Sequence, residues 1–340
     1  KVSQLKMRSD EMAGDAKRRV PIPPGRALVK RKFHNWRRRQ MEGETIPRKV
    51  KRSKQDTMVV GVSYVAVTLF ALICLLPLIN LFAKAVSSEE MVLSGKVGFW
   101  PKNFQIESIL FILKQDSFQR SFLNSVFVTG VTTALTVVVT VCASYPLSIR
   151  KFRGRRVIQF MLTFTMIFNG SAIPWYILMR NLNLVESHWG LILPALVIPY
   201  WIIILRSGFE SIPESIAESA RMDGASHFQI LMFIELPLVK AQIATMTLMC
   251  AVDSWNAYFE PMLLLHRREK FTLQVYLQIM LTQFAQSNLV NATQAKQLMN
   301  QAPITMQGAA VFLSILPILF LYPILQKYFV QGMTLGAVKG

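Results

Sequence analysis

The chain is predicted to be an all-α polytopic membrane protein, and three features of the sequence carry that reading. Hydrophobic residues make up 52% of its 340 residues, and the mean hydropathy is +0.35, high for a soluble chain of this length. Uncharged apolar runs recur at Met58–Ala83, Ser121–Ile149, Val157–Met179, Trp189–Leu205 and Gln307–Gln326. All but the fourth reach the ~20 residues a helix needs to cross the hydrocarbon core, and the fourth sits at the limit. A further run, Ala241–Leu265, carries Asp253 and Glu260, so six transmembrane helices are expected. Third, the basic residues are segregated. Residues 1–57 hold 18 Lys and Arg against 6 Asp and Glu, and Arg150, Lys151, Arg153, Arg155 and Arg156 crowd the link after the second run. The positive-inside rule then puts both termini, that link and the segment between the fourth and fifth runs in the cytoplasm. A short basic patch on the outer side, Arg267, Arg268 and Lys270, runs against the rule.

Residues 1–57 form a basic arm in which Lys30–Lys32 and Arg37–Arg39 flank Phe33 and Trp36. Basic clusters with aromatics are a footprint of nucleic-acid binding. A span beginning at Met58 favours instead an arm drawn to anionic lipid, at roughly 1 kcal/mol per basic residue near the surface; no nucleic-acid partner is expected. The first helix, residues 58–83, contains Pro77, and residues 84–120 form an extracytoplasmic connection too polar to span at 87–101. The second helix is rich in Thr and Val, and its small and hydroxyl side chains permit close helix approach and interhelical hydrogen bonds. In the third run, Asn169-Gly170-Ser171 reads as a helix break. Irregular backbone at membrane depth persists only where it is buried or lines a wet cavity. Asn169, Trp175 and Tyr176 are therefore candidates for the solute path, set against plain packing and an interfacial aromatic belt. The fourth run carries Pro194, Pro199, Tyr200 and Trp201. Cys74, Cys142 and Cys250 all lie in apolar runs and read as small hydrophobes.

Between the fourth and fifth runs lies Ser211–Pro237, too polar to enter lipid. Pro213 suits a first helical turn, and Ser211 with Glu214 has capping-box spacing. Glu214, Glu218 and Arg221 stack charge along one face, and Asp223-Gly224 reads as a turn. A second short helix follows through Phe228, Leu231 and Ile234, closed by Leu236-Pro237. The sequence Glu218-Ser219-Ala220, then Gly224, then Ile234-Glu235-Leu236-Pro237 resembles the coupling motif of bacterial ABC importer permeases of the type I (MetI-like) fold. Asp223-Gly224-Ala225 is as in their sugar branch, and Ser219 in place of alanine is a small-for-small departure. The resemblance runs from about Lys51 to the end. Residues 87–101 and 164–176 resemble the complex-polysaccharide branch, which includes importers of alginate- and pectin-derived oligosaccharides. It implies that Glu214, Glu218, Ser219, Ala220, Asp223, Gly224, Ala225 and Pro237 meet a separate ATPase. Glu218 would accept hydrogen bonds or an ion pair there, while Ala220 and Gly224 allow close approach.

The permease core is expected over residues 121–330, with a cytoplasmic tail at 331–340. In its fifth helix an acidic group near mid-span is costly, so Asp253 is either functional or buried and hydrogen-bonded. Trp255 and Tyr258 offer flat faces for sugar rings and Asn256 offers donors and acceptors; the other reading is a packing and hinge feature. Residues 266–306 are expected to be a long outer loop serving as a docking or gating element for a binding protein.

The sequence holds no G-x-x-x-x-G-K-[ST] nucleotide loop, no His/Cys metal set and no triad spacing, and its four histidines are far apart. Enzymatic activity is therefore not expected, and the chain binds no cofactor of its own. The resemblance implies one half of a transmembrane pore in a bacterial plasma membrane. Its partners would be a second, usually different, permease, an ATPase dimer that binds ATP and Mg, and an extracytoplasmic solute-binding protein. The substrate would be an oligosaccharide, alginate-derived in the first instance. The competing reading, an ion-coupled secondary transporter, calls for internal repeats with paired broken helices and more ionisable groups in the membrane than Asp253 alone.

Overall fold

A computed structural model describes residues 54–168, 170–287 and 304–337. The basic arm through residue 53, the candidate Asn169 and positions 288–303 of the expected outer loop lie outside them. The described residues fall into two units, Ile212–Leu238 and the larger body formed by the segments on either side of it. Apart from an isolated bridge between Ser87 and Phe104, the described regular structure is helical.

In the body, α1 spans Lys54–Ala85 and α2 Glu89–Leu93, followed by α3 (Glu107–Lys114) and α4 (Asp116–Ser148). The α1 helix is apolar all round, and Val59, Tyr64, Phe70 and Ile73 on it are exposed. Only its C-terminal end is covered, where Ala83 and Ala85 are buried and the Phe82 ring lies 5.1 Å from Phe312. An unbroken apolar surface of that length is stable in lipid, where every backbone group is paired within the helix.

The α4 helix is 33 residues long, roughly 50 Å at the usual rise per residue. Ser121, Ser125, Thr132, Thr136, Thr140 and Ser144 lie along it at or near i, i+4 spacing, and all are buried. These side chains let other helices approach closely and bond across. Thr136 Oγ1 donates to the Ala195 carbonyl at 3.0 Å, and Ser125 Oγ accepts from the Leu273 N–H at 2.7 Å.

The third apolar run forms two helices, α5 (Arg155–Ile167) and α6 (Ala172–Asn181), with Ser171 extended at the start of the second. The fourth breaks too. Trp189–Ile192 (α7) and a 3₁₀ turn at Pro194–Leu196 precede Pro199–Glu210 (α8), with a bend of 40°. Pro194 and Pro199 each remove a backbone donor, which is why this run is not one rod. In the fifth, Lys240–Asn256 (α12) stops before a short helix, Phe259–Leu264 (α13). The expected outer loop contains a further helix, Leu273–Ser287 (α14), before the last, Ile304–Ala337 (α15). In α14, Leu273, Val275 and Leu277 are buried, so this stretch is packed structure rather than loop. Two described helices are long and apolar enough to cross a membrane outright, and breaks divide the third and fourth runs into bent helix pairs.

The core gathers Ala85, Ile112, Phe118, Trp255, Leu273, Ala309 and Ala310 from six segments of the chain. The stretch before α14 is tied down by polar contacts. Asn124 Nδ2 donates to the carbonyls of Glu269 and Phe271 at 2.9 and 3.0 Å. Lys270 donates through Nζ to the Glu186 carbonyl, so this member of the unexpected basic patch has a structural task.

Candidate functional site

The unit Ile212–Leu238 comprises α9 (Glu214–Met222), α10 (His227–Ile230), a π turn at Leu231–Glu235 and a last turn, α11 (Leu236–Leu238). Gly224 adopts φ +83°, a conformation that costs a side-chain-bearing residue about 1–2 kcal/mol. The Gly224 N–H donates to the Arg221 carbonyl at 2.9 Å and the Ala225 N–H to the Ala220 carbonyl at 3.0 Å. That pair of bonds is a Schellman closure of α9. The chain restarts at once. Ser226 Oγ accepts from the Gln229 N–H, and Gln229 Oε1 accepts from the Ser226 N–H, a capping box. The box is therefore not at Ser211 and Glu214 as the spacing suggested. Pro213 takes the N-cap of α9 without a side-chain bond, and the Ser211 hydroxyl donates to the Gly208 carbonyl at 2.7 Å.

Ala217, Ala220, Ile230 and Ile234 form a small core inside the hairpin, with Ala225 packed against it. Ala220 and Ala225 thus let the two helices close on each other. Glu214, Glu218, Ser219, Asp223, Gly224 and Pro237 are exposed. So are Met222, at 88%, and Phe228, at 65%. The sequence reading passed over Met222 and took Phe228 only as part of the second short helix, although a Met and a Phe flanking a polar turn were visible in it. Glu235 is buried; burial raises its carboxyl above the ordinary value, and Arg221 opposes that rise.

In the body, a cavity of about 370 Å³ is lined from α4, α6, α7, α12 and α13. Trp175 and Asp253 stand in its wall, joined by Thr132, Ser254, Glu260 and Thr272, which the sequence reading had not singled out as site residues. Asp253 and Glu260 are exposed, and Trp175 is half-buried. Tyr176, also half-buried, packs beside Met179 and Leu264. Trp255 is not in this wall; it is 5% exposed and its indole meets Phe122 edge-on at 5.8 Å. Asn256 and Tyr258 line a different cavity, of about 280 Å³, with Gln274, Gln278 and Ser314. Sequence alone could not separate these neighbours, because a broken helix does not announce which face each residue will present.

The sequence pattern of the family described as binding-protein-dependent transport system inner membrane component matches residues 49–335. The chain belongs to this family. The permease is 35% identical over 274 residues to the polygalacturonan/rhamnogalacturonan transport system permease protein YtcP of Bacillus subtilis (strain 168), across 80% of this chain and 95% of that one. It is 29% identical to the arabinooligosaccharides transport system permease protein AraQ of the same strain, across 81% and 96% of the two chains. One chain in the crystal structure of a bacterial ABC transporter involved in the import of the acidic polysaccharide alginate matches it with a TM-score of 0.72 at 36% identity. That match covers 83% of this chain and 100% of the other.

The permease therefore has the MetI-like fold, as the residues from Glu218 to Pro237 implied. It is an integral inner-membrane component, and members of its family are transport subunits, not enzymes. No group of acidic, His and Cys side chains able to hold a metal occurs among the described residues.

Proposed function

We propose that the permease is one transmembrane half of an ATP-driven importer that takes up oligosaccharides delivered by an extracytoplasmic binding protein. The observation that carries this reading is the preformed hairpin Ile212–Leu238, turned at Gly224 and exposing Glu218, Met222 and Phe228. A capped, self-packed element with acidic and apolar side chains on one exposed surface is suited to seat in a groove of another protein. That protein is a separate ATPase dimer, which binds ATP and Mg and whose closure drives the permease pair between inward- and outward-facing states. The residues at the contact are Glu214, Glu218, Ser219, Asp223, Gly224 and Pro237, with Met222 and Phe228. Ala220 and Ala225 support it from inside.

Six spans with both termini in the cytoplasm are supported by the basic residues of the arm and of positions 150–156. The pore's other half is a second, different permease in the same bacterial plasma membrane. An oligosaccharide substrate is supported by the sugar polymers for which the relatives and the structural neighbour are named. Trp175 and Asp253 border its path.

The test is the ATPase activity of the reconstituted complex with binding protein while candidate oligosaccharides are titrated. Sugar-loaded binding protein is expected to stimulate the wild type, and Gly224→Asp to abolish that response without preventing assembly. A Gly224→Asp complex that responds like wild type removes the coupling role from this hairpin.

A further inference from the structure

A cavity of about 150 Å³ lies where α3 and the start of α4 meet the turn at Arg268–Lys270 and α14, on the side read as extracytoplasmic. Phe111, Phe271 and Tyr276 give it aromatic walls, and Arg268 is its one charged lining residue. Asp116 and Glu269, the acidic groups next in sequence to its lining residues, are exposed and stand outside the wall. Among the described residues Arg268 makes no ion pair. Its basic neighbours differ from it. Lys270 is engaged by the Glu186 carbonyl, and Arg267 is exposed outside the wall. The polar groups beside Arg268 are left to donate. Tyr276 gives its phenol proton to Gln115 Oε1 at 2.8 Å, which engages the accepting end of that carboxamide and leaves the Nε2 hydrogens as its free end. Ser117 adds a hydroxyl. A guanidinium, an amide N–H pair and a hydroxyl, with no carboxylate in the wall, call for an anionic acceptor.

We infer that this cavity is an entry subsite for acidic saccharides, in which Arg268 and Gln115 hold the carboxylate of one uronate unit. This rests on the reading of the chain as an oligosaccharide permease and narrows the substrate of that permease. The volume is below the ~300 Å³ at which sites for whole small ligands begin, so it takes one carboxyl-bearing ring edge of a longer chain. A guanidinium is planar, and its paired N–H donors match a carboxylate edge-on, a fit that neutral ring hydroxyls do not repeat. Phe111, 52% exposed, offers a flat face to the ring of the same unit. The role also accounts for where Arg268 stands. Basic residues are disfavoured on this side of the membrane; Lys270 has its structural bond, and an acidic solute arriving from outside gives Arg268 a task. The 370 Å³ cavity offers no such seat, since Asp253 and Glu260 stand in its wall without a cation.

The test uses the permease assembled with its partner permease and ATPase in nanodiscs, without binding protein, so that the binding protein's own selectivity does not enter. The probes are trigalacturonate and its methyl ester, which has the same length and no charge, and saturation-transfer NMR reads the affinity of each. The wild type should bind the acid roughly fivefold or more tightly than the ester, the scale of one charged hydrogen bond in a partly wet site. Arg268→Gln and, separately, Gln115→Glu should each bring the two probes to within about twofold, the second while still accepting the Tyr276 hydroxyl. Arg267→Gln, at the cation outside the wall, should leave the preference in place. Equal binding of the two probes to the wild type, an undiminished preference in Arg268→Gln, an equal loss in Arg267→Gln, or no saturable binding of either probe overturns the inference. Stimulation of the ATPase by sugar-loaded binding protein is measured on the same complexes. If the wild type is stimulated while the preference is missing, only the role of this cavity falls; if stimulation is absent as well, the importer reading falls with it. Loss of stimulation in Arg268→Gln with the acid preference unchanged would seat a carboxylate of the binding protein here instead, and overturns the inference too.

Discussion

The indole nitrogen of Trp255 donates to the carbonyl oxygen of Ser314 at 3.1 Å, a buried bond that ties α12 to α15. The ring is 5% exposed. Trp255→Phe should therefore cost about 1 kcal/mol for the lost bond, and Trp255→Ala about 3–5 kcal/mol for the cavity left behind. Thermal melting of the purified complex reads both. Solute uptake by Trp255→Phe should keep its KM; a raised KM with unchanged melting would return Trp255 to the solute path.

Gly190 sits where no side chain fits. A Cβ there would lie 2.5 Å from the Leu184 carbonyl oxygen and 3.0 Å from Leu264 Cδ1. The first of these is backbone and cannot swing aside. Gly190→Ala is expected to destabilise the body by about 1–3 kcal/mol, seen as a lowered melting temperature. No loss on melting means that the α7 turn is free to shift.

Gly224 poses the opposite problem, since its surroundings are open but its φ is +83°. Conformation rather than space decides what it tolerates. Gly224→Asn should keep the stability of the hairpin, because Asn visits the left-handed region readily, whereas Gly224→Val should lose about 1–2 kcal/mol, read by melting. Equal melting of the two variants would mean that the hairpin closes without this turn.

Glu235 makes the hairpin sensitive to pH. Its folded carboxyl titrates above the ordinary value of 4.5 because it is buried, with Arg221 acting the other way. Between those two values the unfolded chain has released a proton that the folded chain still holds, so stability falls as pH rises through that window. Glu235→Gln has no proton to release. The melting temperature of the variant minus that of the wild type should be more positive at about pH 7.5 than at about pH 4.5. A difference that does not change with pH would mean that the carboxyl reaches water.

How legible these features were in the sequence depends on whether their cause is local. The Asp223-Gly224 turn was readable because one residue's φ requirement produces it. The Thr- and Ser-rich face of α4 was readable because i, i+4 spacing survives in any long helix. The capping box was misplaced because Ser211–Glu214 and Ser226–Gln229 have the same S-x-x-[EQ] spacing, and only the observed end of α8 at Glu210 engages Ser211 elsewhere. Helix α14 was hidden because Gln274, Gln278 and Gln283 lower its hydropathy, although Leu273, Val275 and Leu277 are buried. Nor could a lone Asp253 reveal that Glu260, seven positions on and beyond a helix break, lines the same cavity.

The π turn at Leu231–Glu235 is in effect an α-helix carrying one surplus residue. Removing one of these five residues would return the segment to regular α register, between a start still fixed by Ser226 and an end still marked by Leu236 and Pro237. The same deletion inside Glu214–Met222 would rotate every later side chain of that helix by about 100°, carrying Ala217 or Ala220 off Ile230 and Ile234. The second arm of the hairpin thus holds a spare length that the first does not, and tolerance of insertions and deletions in this permease should be lopsided accordingly.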